Sequence, residues 1–201
     1  MDTFVRGKLS EWQLENLIDT FKDLQDFCIL YPDAARKLFE NWTTISERIL
    51  PYAQREGKLP SVLGDMTPAA KEETALKVLP TMLPPSIYRR GGKVFRPTTE
   101  EAQKSFIDMQ PVGTNMVEYL NHEMTGALLH ILCLSDETRG TSQTFAIIPG
   151  HAIETESLLE VVDLCFKAFF VFDVQYTKQC SPPGSFSSML YIKLKEKSPP
   201  L

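Results

Sequence analysis

Apolar side chains recur near helical spacing through the first part of the chain, at Trp12, Leu14, Leu17, Ile18, Phe21, Leu24 and Phe27. Ser10 is a helix-start residue, with Gln13 three positions on as its capping partner. Tyr31-Pro32 breaks that helix, and Pro32 suits the first turn of the next. Ala35, Leu38, Phe39, Trp42, Ile45 and Ile49 form a second apolar stripe, which Pro51 ends or kinks. Gly57 to Gly64 reads as a loop. Thr67-Pro68 opens a third helix, expected to stop before Pro80. Pro84-Pro85 then forces extended chain. Thr98, with Glu101, caps a further helix that Gln110-Pro111 is expected to end. Gly113-Thr114 is a turn, and Thr114 caps "NMVEYLNHEM".

After Gly126 the pattern changes. "ALLHILCLS" is a short apolar run that suits a buried strand. "TFAIIPG" is a second strand, stopped by Pro149-Gly150, and the "ETRGTSQ" turn between them predicts a hairpin. Leu158, Leu159, Val162, Cys165, Phe166, Phe169 and Phe170 return to helical spacing, which predicts a buried helix. "CSPPGS" is a loop, "FSSMLYIKLKEK" is a strand or a last helix, and 198–201 is a tail. The expected fold class is α+β: an N-terminal helical part, then a small antiparallel sheet packed with helices. Residues 1–85 form the helical region, 86–97 a basic Gly-Gly loop and 98–197 the α+β region. The break falls in 85–98 or 123–127, and the two regions have the option of one shared core.

Composition narrows the classes. Of 201 residues, 43% are hydrophobic and 10% aromatic, which is enough for a sizeable core. The net charge of −5 argues against general avidity for nucleic acid. One stretch departs from that balance. "SIYRRGGKVFRPTTEEAQ" carries Arg89, Arg90, Lys93 and Arg96 around Gly91-Gly92, with no acid between 89 and 96. Any polyanion site is expected there. The cysteines Cys28, Cys133, Cys165 and Cys180 are widely spaced, and three sit in apolar runs, which reads as a reduced, intracellular protein, cytoplasmic or nuclear. No apolar run reaches the ~18–20 residues that span a bilayer, so no membrane is expected as a partner.

The residues bearing chemistry do not assemble into a known motif. His130 and Cys133 give HxxC, but a structural zinc site wants two close pairs. His122-Glu123 lacks the second histidine of HExxH. There is no GxSxG elbow, and the Gly-Gly stretch matches neither GxGxxG nor GxxxxGK[ST]. No catalytic residue, metal or cofactor is expected.

Several stretches carry a resemblance: "LPP" before the basic loop, "RPTTEEAQ", "QPVGTN" and "FKAFFVFDVQY". Over residues 28–180 the chain resembles the C-terminal region of the vertebrate sterile-alpha-motif-domain-containing protein three-like family and related multi-copy uncharacterised proteins. The resemblance brings no activity and no catalytic residue. The sterile alpha motif itself, a helical interaction module, would lie outside this chain. "GSFSSMLYIKLKEKSPPL" departs from the pattern.

Two readings of the basic stretch stand: a solvated turn or hairpin whose glycines take positive φ, and a contact in which Arg89, Arg90, Lys93 and Arg96 meet an acidic protein or a phosphate backbone. In the second, Tyr88 or Phe95 would stack on a base. Phe169, Phe172 and Tyr176 are either core or an interface, including a homodimer seam. The expected function is a non-enzymatic intracellular protein-interaction or scaffold module, with itself as one partner. The alternative is a nucleic-acid-associated protein using the basic loop 89–96.

Overall fold

The computed structural model describes residues 27, 29, 31–59, 66–82, 87–90, 92–123, 129–136, 142–148 and 151–171. The expected helix from Trp12 to Leu24 lies outside them, as do Pro84-Pro85, the turn at 137–141, Pro149-Gly150 and everything after Val171, including "FSSMLYIKLKEK" and the 198–201 tail.

Helix α1 spans Lys37–Arg55 and buries Leu38, Trp42, Ser46, Ile49, Leu50 and Ala53. The expected stripe needs one change, because Phe39 is exposed. Pro51 faces solvent and does not end the helix, which continues for another turn. The end comes at Gly57, whose φ of 68° is the left-handed conformation that glycine adopts without strain. There Lys58 N–H donates to the Ala53 carbonyl at 2.8 Å and Gly57 N–H to Gln54 at 3.0 Å, a Schellman closure. Helix α2 spans Pro68–Met82. Thr67 Oγ1 accepts from Ala70 N–H at 3.2 Å, so the start follows the capping signal. The expected stop before Pro80 is corrected: Pro80 lies buried inside the last turn. Trp42 is fully buried and ties the two helices, its Nε1–H donating to the Glu72 carbonyl at 3.3 Å.

A two-stranded hairpin follows, β1 at Tyr88–Arg90 and β2 at Lys93–Phe95. Helix α3, Thr99–Lys104, begins with the full capping box: Glu101 N–H to Thr98 Oγ1 at 3.1 Å, and Thr98 N–H to Glu101 Oε2 at 2.8 Å. The helix expected to run to Gln110 stops at Lys104. Ile107–Pro111 is instead a strand, β3. Helix α4 spans Met116–Glu123, and Asn115 Oδ1 accepts from Val117 and Glu118 N–H at its start. Strands β4 (His130–Ser135), β5 (Ser142–Ile148) and β6 (His151–Thr155) lead to helix α5, Leu158–Val171.

The fold is α+β, with helices ahead of a four-stranded sheet of order β3-β4-β5-β6. The expected antiparallel sheet is corrected to a mixed one. β4–β5 and β5–β6 are antiparallel, but β3 runs parallel to β4, with Ile107 opposite Ile131 and Met109 opposite Cys133. A parallel pair needs a crossover, and α4 supplies it. Alternation along the strands separates two faces. Ile107, Ile131, Cys133, Ala146 and Ile148 pack in one cluster with α1, α2 and α5. Leu132, Leu134 and Ile147 face the other way, under Met116, Tyr119 and Leu120 of α4. The sheet is therefore covered on both faces. Among the described residues, no helix is long and apolar enough to cross a membrane.

Candidate functional site

The basic stretch folds as a hairpin. Its register pairs Tyr88 with Phe95, Arg89 with Val94 and Arg90 with Lys93, and Gly92 stands in the turn. Gly92 takes φ +78°, the conformation that such a tight turn requires. Nothing lies within 4 Å of where a Cβ would stand, so backbone conformation alone asks for glycine there.

Arg89, Lys93 and Arg96 are exposed. So are three apolar neighbours, Ile87 at 64%, Val94 at 51% and Phe95 at 39%. Period-two alternation divides the set. Lys93 and Phe95 share one face of the ribbon. Val94, and Arg89 paired with it, lie on the other. Arg89 and Lys93 thus stand on opposite faces of the ribbon. The Tyr88 and Arg90 backbones lie in β1, and their side chains fall outside the description. Phe169 sits in α5 with its side chain likewise outside it, and Phe172 and Tyr176 lie beyond the described residues.

The structure also assembles a polar cluster that the sequence reading missed. Asp108 of β3 and His130 of β4 are both buried, 3% and 4% exposed, on the sheet face that α4 covers. Tyr119 of α4 lies between them. Its hydroxyl donates to Asp108 Oδ2 at 2.9 Å, and its oxygen is 2.9 Å from His130 Nε2. Gln110 Nε2 donates to Asp108 Oδ1 at 3.0 Å, and Lys104 Nζ stands 3.9 Å from Oδ2. Buried polar groups need such partners. The cluster joins both parallel strands to the helix that crosses between them. No local motif announces it, because its members meet only through the β3–β4 pairing.

His130 and Cys133, the HxxC pair, are three apart on one strand and so project to opposite faces. Among the described residues, no three of histidine, cysteine, aspartate and glutamate gather as metal ligands. Cys133 and Cys165 are buried and in no disulfide, and burial pushes the Cys165 thiol up. Within α5, Asp163 Oδ2 and Lys167 Nζ form a buried ion pair at 2.5 Å, with the ammonium 5.8 Å from the Phe27 ring centre. Burial raises the Asp163 carboxyl, outweighing the hydrogen bond and charge of Lys167.

No family model, curated protein or solved structure matches this chain.

Proposed function

We propose that the chain is a non-enzymatic protein-interaction module that works by presenting the β1–β2 hairpin to an acidic protein surface. The observation that carries this reading is the exposure of Ile87, Val94 and Phe95 among Arg89, Lys93 and Arg96. Apolar area among cations suits a partner that offers both carboxylates and apolar side chains. Phosphate recognition has no use for exposed Ile87 and Val94, and Arg89 stands on the opposite face from Lys93. That Cys133 and Cys165 are buried outside any disulfide supports an intracellular setting.

The test is fluorescence anisotropy with four labelled probes: an alternating glutamate–valine peptide, single-stranded DNA, double-stranded DNA and RNA. Each is titrated at low and high salt against the parent chain and against Arg89→Glu/Lys93→Glu/Arg96→Glu. The expected result is peptide binding that the variant loses. Nucleic acid binding with a steep salt dependence, lost in the same variant, would replace this reading with the nucleic-acid one. Binding of no probe would overturn the assignment of the hairpin.

A further inference from the structure

The hairpin has two faces, and each carries the same pair of features. On one, Lys93 stands two residues from Phe95 along β2, so both side chains project to the same side. On the other, Arg89 and Val94 are directly opposite each other across the ribbon, and residues so paired share a face. All three residues of β2 are exposed, although successive residues point to opposite sides, and Arg89 is exposed too. A ribbon packed flat on the body of the protein would bury one of the two sets. Space is open at the tip as well: nothing lies within 4 Å of a Cβ built on Gly92.

The charge is of one sign on both faces. No acidic residue occurs between Ser86 and Thr99. Glu101 follows closely in the chain, but its carboxylate accepts from Thr98 N–H at 2.8 Å and so serves the start of α3.

We infer that the hairpin binds on both faces at once: it takes two acidic protein segments, one on the Lys93–Phe95 face and one on the Arg89–Val94 face. Each face offers a cation for a carboxylate and an apolar side chain beside it. The spacing lets both be filled. A packed layer stands ~10 Å from a strand pair, so segments on the two faces stand roughly 20 Å apart. That exceeds the Debye length of ~8 Å at physiological salt, so the acids of one segment scarcely repel those of the other. A single protein that supplies both segments gains further, because its second contact is intramolecular. The partner that fits is therefore an acidic cleft that closes on the ribbon from both sides.

This inference rests on the reading of the hairpin as a protein-binding element. The experiment is calorimetric titration of the full chain with the glutamate–valine peptide, as a single copy and as a tandem. The tandem joins two copies through about 30 glycine and serine residues, whose reach of roughly 30 Å passes round the tip. The parent should take two single peptides per chain. Lys93→Glu and Arg89→Glu should each take one, and Arg89→Glu/Lys93→Glu none. The site that survives in each single variant also shows that the variant is folded. The tandem should bind the parent about a hundredfold more tightly than the single peptide does, and either single reversal should remove that gain. One peptide per parent chain, a single reversal that abolishes all binding, or a tandem that binds no better than the single peptide would each overturn the inference. If the parent takes one peptide and the double reversal loses it, two-sided binding falls and the interaction-module reading stands. If the parent takes none, both fall.

Discussion

Tyr119 gives its single hydroxyl proton to Asp108, and that fixes the role of His130. The Tyr119 oxygen lies 2.9 Å from His130 Nε2 with no second proton to donate, so Nε2 carries the hydrogen of that bond. A proton-ordered chain runs His130 to Tyr119 to Asp108, across three elements that are distant in sequence.

Tyr119→Phe removes the middle of that chain while keeping the ring. Buried Asp108 loses a donor and buried His130 an acceptor. The expected cost is about 1–3 kcal/mol, read as a lower urea midpoint with an unchanged slope. An unchanged midpoint would show that the cluster does not hold the crossover.

The Asp163–Lys167 pair gives a prediction with a definite sign in pH. Burial holds the Asp163 carboxyl above its ordinary value, so the folded chain binds this proton more tightly than the unfolded chain does. The stability it contributes is fully present below the ordinary aspartate value of about 3.9 and is lost as pH rises through the raised folded value. Lys167→Met leaves the carboxylate buried without its partner. It should cost about 3–5 kcal/mol at neutral pH, and less in acid, where the carboxyl protonates. Asp163→Leu with Lys167→Met should be neutral or more stable than the parent, by up to about 4 kcal/mol. Urea melts at two pH values for the parent and both variants check the order.

Much of the fold was legible. The Thr98 and Glu101 signals gave a complete capping box, Thr67 opened its helix, and the spacing of Leu158, Val162 and Cys165 gave α5. The failures at β3 and at the polar cluster share one cause. "IDMQP" has no clean alternation and follows a helix start without a break, so it read as helix. Its strand state comes from parallel pairing with β4, a long-range contact that no local window contains. Asp108, Tyr119 and His130 were unreadable for the same reason. The hairpin was legible as one of two alternatives, since paired glycines between apolar and basic residues are a local signal. The exposure of Val94 and Ile87 was not, because it depends on what the rest of the fold leaves uncovered.

Gly92→Val tests the hairpin without touching the core. Space is open at that position, so the whole penalty is the left-handed backbone at φ +78°, about 1–2 kcal/mol for an L side chain. The thermal midpoint of the protein should hold. Amide exchange in Tyr88–Phe95 should speed up, and binding of the acidic peptide should fall. A drop in the midpoint instead would place the hairpin in the cooperative core.

Cys133 and Cys165 should resist alkylation in the native state. Both are buried, and the Cys165 thiol is held up by its surroundings, away from the reactive thiolate. Iodoacetamide at mildly alkaline pH, followed by mass spectrometry, should find them modified on the order of a hundredfold more slowly than in the urea-unfolded chain. Rapid native modification would mean that α5 opens from the sheet.

The parallel pairing of β3 sets an order of assembly. In sequence β4, β5 and β6 are separated by residues 136–141 and 149–150, whereas β3 and β4 are separated by residues 112–129, with α4 among them. Closing the longer loop costs more entropy before any contact rewards it. Three strands are therefore expected to pair first and the fourth to dock onto them, with Tyr119 at the joint, so that amide exchange across the β3–β4 seam should outpace exchange within the meander.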